Sequence, residues 1–116
     1  MLFVLQVPTM NDRMLEATVL RVLVEPGTRI ERGTPLVEMR VDLGAIFAQN
    51  CAPIFDVRVV ANEGGWLRRV EVARGGVAAV GAPLAIVSSA PEESLEAPVA
   101  RPLRVNIGVI PFIVAL

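Results

Sequence analysis

Side chains able to carry out chemistry are few in this chain of 116 residues, and several types are missing altogether. The chain has no histidine, lysine or tyrosine, and all eleven positive charges are arginines. General acid–base catalysis near neutral pH usually falls to histidine, and Schiff-base or acyl-carrier chemistry needs an amine. The three serines, Ser88, Ser89 and Ser94, have no such base to activate them, and Cys51 lacks the histidine that usually accompanies a catalytic thiolate. We therefore expect the chain not to be an enzyme.

Charge and composition also limit the cofactors and partners that the chain could bind. The twelve acidic residues are spread along the chain without the spacing of metal ligands, so we expect no metal and no cofactor. The net charge is -1 and the arginines are scattered, which argues against nucleic acid as a partner. A single cysteine permits no internal disulfide and favours a reducing compartment.

Neither end of the sequence has the pattern of a targeting or membrane segment. The first apolar run meets Pro8 too early for a signal peptide. The longest apolar run, at residues 105–116, is shorter than the roughly 20 residues that a membrane-spanning helix needs. We expect a soluble, cytoplasmic protein that does not contact a membrane.

The elements that position these residues are predicted to be short β-strands. Hydrophobic residues make up 53% of the chain, and nine glycines and nine prolines imply many turns, so the expected class is all-β. Apolar runs bounded by turn residues predict strands at residues 2–7, 15–24, 35–41 and 56–60. In the turn at residues 25–28, Pro26 and Gly27 stand in the order favoured by a type II turn, because glycine accepts a positive φ.

A pattern in the first half of the chain recurs 48 residues later. Its members are Arg21, Val22, Val24, Gly27, Gly33, Pro35 and Leu36, which match Arg69, Val70, Val72, Gly75, Gly81, Pro83 and Leu84. Each copy reads as a strand, a glycine turn, a short loop, a second glycine and a strand. Two such units facing each other would bury their apolar faces, so the repeat predicts a flattened β-barrel or sandwich of two quasi-symmetric half-sheets. The alternative is that both copies are ordinary hairpin turn sequences.

Over about residues 3–89 the chain resembles the biotinyl/lipoyl carrier domains of 2-oxo acid dehydrogenase complexes and biotin enzymes. The matching segments are Val7-Pro8, Met14, Glu16-Ala17-Thr18, Gly27-Thr28, Gly33-Thr34-Pro35-Leu36, Gly65-Trp66-Leu67 and Pro83 to Val87. Ala17 replaces a glycine of the family. The resemblance implies a lipoyl/biotinyl-like β domain of the barrel-sandwich hybrid type at residues 1–89.

The resemblance breaks at the residue that would carry the cofactor. In the family, a strand runs through a glutamate into an Asp-Lys-Ala hairpin tip, and the lysine carries the swinging arm. Glu38 and Asp42 match that pattern, so Leu43 occupies the position of the modified lysine. Lipoyl and biotinyl attachment both form an amide with a lysine amine, and the chain has no lysine. The resemblance therefore implies a domain that is not lipoylated.

The hairpin, at residues 42–56, is also extended relative to the family, and much of its tip is apolar. Its candidate interaction residues are Leu43, Ile46, Phe47, Cys51, Ile54 and Phe55. Exposed apolar patches usually mark interaction surfaces, so we expect this tip to contact another protein. The alternative is that the loop folds back and completes the core of its own sheet, with Cys51 as a small buried hydrophobic residue.

The C-terminal part of the chain divides into two segments. Residues 90–104 are rich in alanine, proline and glutamate, similar to the linkers of lipoyl-domain proteins, and predict an extended linker. Residues 105–116 are apolar again and would be prone to aggregate if free in water. We expect this segment, with Ile110 and Phe112 as further candidate interaction residues, to be a docked or exchanged strand. It could join its own sheet, join a second copy to form a homo-oligomer, which we favour, or bind a different protein.

These observations predict a non-catalytic, unmodified lipoyl/biotinyl-like domain that acts as a protein-interaction or assembly module. One alternative is an accessory subunit of a 2-oxo acid dehydrogenase/acyltransferase complex or of a biotin-dependent carboxylase complex. A transport adaptor with a lipoyl-like domain is less favoured, because no heptad run separates the two copies of the repeat.

Overall fold

The computed structural model describes residues 1–9, 16–42 and 54–110. These residues form ten strands: β1 (Leu2–Gln6), β2 (Glu16–Val22), β3 (Arg29–Ile30), β4 (Pro35–Asp42), β5 (Ile54–Ala61), β6 (Gly65–Val70), β7 (Val77–Ala79), β8 (Pro83–Ser88), β9 (Val99–Pro102) and β10 (Val105–Val109). The predicted all-β class is confirmed. In these described ranges, no helix has the length and hydropathy needed to cross a membrane.

The ten strands form two open five-stranded sheets around one core. The first sheet has the order β3-β6-β8-β1-β9, and the second has the order β10-β5-β4-β2-β7. Leu5 and Leu84 of the first sheet and Met39 and Val57 of the second belong to the same cluster of buried residues, so the sheets pack face to face. The described strands do not close into a barrel.

Side-chain alternation explains how β5 contributes apolar residues to this core. Val57, Val59 and Ala61 are buried, whereas Arg58, which lies between two of them, is exposed. Successive side chains of a strand point to opposite faces, so one face of β5 lines the core and the other carries charge.

The hydrogen bonds of the repeat recur at the same offset of 48 residues. The N–H of Gly27 donates to the carbonyl oxygen of Leu67 at 2.7 Å, and the N–H of Gly75 donates to the carbonyl oxygen of Val19 at 2.7 Å. In return, the N–H of Leu67 donates to the carbonyl oxygen of Thr28 at 2.9 Å, and the N–H of Val19 donates to the carbonyl oxygen of Gly76 at 2.8 Å. Each glycine turn therefore binds a strand of the other copy, which ordinary hairpin turns would not do.

The repeated glycines hold the turns of both copies in the same backbone conformation. Their φ angles are 93°, 96°, 85° and 85° at Gly27, Gly33, Gly75 and Gly81. The turn at residues 25–28 is closed by a hydrogen bond of 3.1 Å from the N–H of Thr28 to the carbonyl oxygen of Glu25. The positive φ that the sequence predicts for Gly27 is confirmed.

The segment at residues 90–104 differs from the extended linker that its composition predicts. It contains β9, which pairs in parallel with β1. Leu103 is buried, and its N–H donates to the carbonyl oxygen of Val4 at 2.8 Å. An alanine- and proline-rich segment can still form a short strand where a neighbouring strand has an open edge and where a leucine gains burial in the core.

The chain then crosses to the second sheet, where β10 pairs antiparallel with β5 of the same chain. A docked strand is one of the three placements that the sequence predicts for this segment, and residues 105–109 have it. Residues 111–116 lie outside the described part of the chain.

We call residues 90–110 the C-terminal extension. Glu63, in the turn between β5 and β6, binds this extension. The carboxylate of Glu63 accepts hydrogen bonds from both terminal nitrogens of Arg101, at 2.7 and 2.6 Å, and from the N–H of Arg104 at 2.7 Å. The hydrogen bond from Arg101, aided by the N–H of Arg104, lowers the pKa of Glu63 to about 2. The Arg101 guanidinium also lies 4.4 Å from the centre of the Phe3 ring.

Candidate functional site

Three of the predicted interaction residues lie at one end of the second sheet. Ile54 and Phe55 begin β5, and Ile110 directly follows β10. The N–H of Ile110 donates to the carbonyl oxygen of Asp56 at 2.8 Å, which fixes the two strands side by side. The structure therefore brings Ile54 and Phe55 of the predicted hairpin close to Ile110 of the C-terminal segment, although the sequence presents the two segments as separate candidates. The other candidates, Leu43, Ile46, Phe47, Cys51 and Phe112, lie outside the described residues.

The apolar side chains at this end extend beyond the core and reach solvent. Ile54 is 52% exposed, Phe55 38% and Val109 56%. Phe55 is two residues before the buried Val57, so both side chains point to the core face of β5. Phe55 is exposed because it lies past the end of the core. We call Ile54, Phe55, Val109 and Ile110 the apolar end.

Val109 is a member of this surface that the sequence pattern does not single out. Its neighbours Ile110 and Phe112, in the same apolar segment, are the predicted candidates. A strand alternation starting from Val105 places Val109 on the same face as Val105 and Ile107, both of which pack against the core. The strand period could have identified Val109, but only once the start of β10 is known.

Charged side chains lie beside the apolar end on the outer face of the second sheet. Asp56, which follows Phe55, accepts hydrogen bonds from Arg40 at 2.8 Å (Nε to Oδ1) and 3.2 Å (Nη2 to Oδ2). The hydrogen bonds from Arg40 lower the pKa of Asp56 and raise the pKa of Arg40. This two-point ion pair holds both side chains across β4 and β5.

A second, larger ion cluster continues along the same face. Glu38 is buried, and its carboxylate lies 3.0 Å from the Nε of Arg21 on one side and 3.0 Å from the Nη2 of Arg58 on the other. The side chains of Arg21 and Arg58 are 67% and 48% exposed. With Arg40 as the third, three exposed arginines on this face therefore pair with Glu38 and Asp56 among the described residues.

The first sheet does not repeat this charged cluster. The residue 48 positions after Glu38 is Ile86, and it is buried. Its partners across the first sheet are Val4 and Arg69. The backbones of the two copies are alike, but the outer faces of the two sheets have different chemistry.

A cleft of about 350 Å³ lies in the first sheet, away from the apolar end. Its lining includes Trp66, whose ring centre is 6.0 Å from the Arg29 guanidinium, together with Glu31 and Arg32. The side chains of Arg29 and Glu31 are 68% and 72% exposed, and their charged atoms are 3.9 Å apart. Both of these charged side chains are therefore largely exposed to solvent.

Within the described ranges, no group of three or more cysteine and acidic side chains could hold a metal ion. No protein-family model matches the chain, and no curated protein is significantly similar to it. Function is therefore inferred from the sequence and from the geometry of the site.

Proposed function

We propose that this chain is an unmodified domain of the lipoyl/biotinyl-carrier type, with a barrel-sandwich hybrid fold, that acts as a protein-interaction or assembly module. The observation that carries the proposal is the apolar end. It exposes Ile54 and Phe55 on the strand that returns from the hairpin where the family carries its cofactor. Leu43 stands at the position of the modified lysine, and the chain has no other lysine to take its place.

The carrier-type fold is supported by the paired hydrogen bonds of the repeat. The bond from Gly27 to Leu67 and the bond from Gly75 to Val19 relate the two copies of the repeat to each other. The two halves contribute strands to both sheets, so neither half has a core of its own. Such an interlocked pair is what a duplicated strand-turn-strand unit produces when its apolar faces meet.

The interaction role is supported by the composition of the apolar end and its surroundings. Protein interfaces are enriched in aromatic side chains and arginine and depleted in lysine. By strand alternation, Ile54 shares the outer face of β5 with Asp56, which is paired with Arg40, and two further arginines follow on that face. An exposed apolar residue flanked by paired arginines, with an aromatic residue next to it in the strand, fits a protein partner.

An intact-mass measurement tests whether the domain is an unmodified member of the carrier type. The chain is coexpressed with a lipoate ligase and with a biotin ligase, each supplied with its cofactor. We expect the parent to keep its bare mass of 12.4 kDa, because it offers no lysine. We expect Leu43→Lys to gain a ligase-dependent adduct, because the substitution restores the amine at the hairpin tip.

Arg32→Lys is the matched control, because it places a lysine in an exposed turn away from the hairpin. It should keep its unmodified mass under the same conditions. An adduct on the parent would contradict the unmodified role. A Leu43→Lys variant that remains as bare as Arg32→Lys would count against the carrier-type fold.

A further inference from the structure

We propose that β10 is a dimerisation edge, at which a second copy of this chain pairs its own β10 in antiparallel orientation across a two-fold axis at Ile107. The inference rests on the proposed function, since it names the partner of the interaction module. In this dimer, the second sheet of one copy continues into the second sheet of the other.

Of the four edge strands that the two described sheets present, β10 has the least protection against pairing. Natural proteins protect sheet edges with short strands, charged side chains or proline. β3 has two residues and β7 has three, while β9 contains Arg101 and Pro102. β10 has five residues, Val-Asn-Ile-Gly-Val, with neither a charge nor a proline.

The backbone of β10 directs hydrogen-bonding groups to this edge that no described strand pairs with. Ile110 donates its N–H to Asp56, and Arg104 accepts the N–H of Asn62. Alternate residues of an antiparallel strand face the same neighbour, so residues 104, 106, 108 and 110 face β5. Val105, Ile107 and Val109 therefore direct their N–H and carbonyl groups away from β5.

The sequence of β10 matches itself in this arrangement, which is why a second copy is the favoured partner. A two-fold interface needs the same patch on both subunits to be self-complementary. An axis at Ile107 places Ile107 opposite its own copy and Val105 opposite Val109. On the core face the strand reads Val-Ile-Val in either direction, so apolar side chains meet apolar side chains at every pair.

The same axis covers part of the apolar end. Val109, 56% exposed in one chain, would pack against Val105 of the second copy. Arg104, which is exposed, would lie opposite Ile110 of the second copy. Within each copy, Ile110 pairs with Asp56 of β5. The register therefore adds apolar contact at Val109 and leaves the exposed Arg104 side chain on the outer face of the extended sheet.

Sedimentation velocity of the full chain over a range of concentrations tests the dimer. We expect the parent to form a dimer as concentration rises. We expect Val109→Lys to raise its dissociation constant at least about tenfold, because an edge lysine opposes strand pairing. Val77→Lys is the matched control: Val77 is 60% exposed on β7, at the opposite edge of the same sheet, so the dissociation constant should not change.

Hydrogen exchange of the parent gives a second measurement that needs no substitution. The amides of Val105, Ile107 and Val109 should exchange more slowly at concentrations where the dimer forms. The amides of Asn106 and Gly108 already face β5 and should change little.

A parent that stays monomeric at every concentration would overturn the proposal, and so would a dimer that Val77→Lys weakens as much as Val109→Lys. Concentration-independent exchange at Val105, Ile107 and Val109 would overturn it as well. A monomeric parent with the bare mass leaves the proposed function in place, whereas an adduct on a dimeric parent removes the proposed function and leaves the dimer.

Discussion

Gly27 and Gly75 allow each turn of the repeat to present its N–H to a strand of the other copy. Their φ angles, 93° and 85°, lie in the left-handed region that favours glycine. A Cβ added at either position would meet no heavy atom within 4 Å. Any cost of a side chain at these positions therefore comes from the backbone conformation.

Replacing either glycine by alanine should destabilise the fold. We expect Gly27→Ala and Gly75→Ala each to lower the free energy of unfolding by about 1–2 kcal/mol, the cost of left-handed backbone for a residue with a Cβ. Urea denaturation measures the change. Gly108→Ala is the control, because its Cβ would also meet nothing within 4 Å but its φ is not positive. Equal losses at all three positions would contradict this explanation.

The sequence identified these residues because glycine turns have a recognisable local signature. Gly27 and Gly33 stand 48 residues before Gly75 and Gly81, and all four have a positive φ, which the sequence predicts for Gly27. Glu63 gave no such signal. Its role depends on Arg101 and on the backbone of Arg104, which lie about forty positions away along the chain and meet it only through the tertiary fold.

At the scale of elements, one carboxylate and one leucine add to the strand pairing that holds the C-terminal extension. Glu63 receives two hydrogen bonds from Arg101 of β9 and one from the N–H of Arg104, and Leu103 between these residues is buried. The composition of residues 90–104 predicted a linker because alanine and proline are common in mobile segments. Composition does not indicate that β1 has a free edge, so the docking of β9 could not be predicted from it.

Removing the charge of Glu63 should loosen this extension. We expect Glu63→Gln to lower the free energy of unfolding by about 1–2 kcal/mol, because hydrogen bonds to a charged group are stronger than neutral ones. Glu71→Gln is the control: Glu71 pairs with Arg69, only two residues away, at 2.7 Å, and its change should stay within about 0.5 kcal/mol. Urea denaturation at neutral pH compares the two variants.

The difference in the free energy of unfolding between the parent and Glu63→Gln should depend on pH. The pKa of Glu63 is about 2 in the folded chain against an ordinary 4.5, so its stabilisation is complete above pH 4.5 and is lost as the pH falls toward 2. The parent and Glu63→Gln should therefore converge in stability over that window. A difference that persists unchanged to pH 2 would show that the charge of Glu63 is not the cause.

At the scale of the whole molecule, a nearly symmetric backbone has two unlike outer faces. The second sheet carries Arg21, Glu38 and Arg58 where the first carries Arg69, Ile86 and Val4. The appended strands also break the symmetry, because β9 is parallel to β1 whereas β10 is antiparallel to β5. The end of the second sheet at Ile54 combines exposed apolar residues with Arg40, which the corresponding part of the first sheet does not repeat.

The repeat made the all-β class predictable, since identical residues at a fixed offset imply similar turns and strands. It did not predict that β3 of the first copy and β7 of the second would each join the sheet of the other copy. The apolar end was only partly predictable. Ile54 and Phe55 are marked by their hairpin position, but their proximity to Ile110 depends on the pairing of β10 with β5. Strand pairing between distant segments is set by edge availability and core packing, which a local pattern does not contain.

Site-specific photo-crosslinking in cells tests the interaction role most directly. A photoreactive phenylalanine derivative replaces Phe55 in one version of the chain and Leu23 in another, since these side chains are 38% and 39% exposed. The proposal predicts a discrete covalent adduct with a second protein chain at position 55, weakened by Ile54→Asp, and none at position 23. No adduct at position 55, or equal adducts at both positions, would contradict the proposal that the apolar end is a protein contact surface.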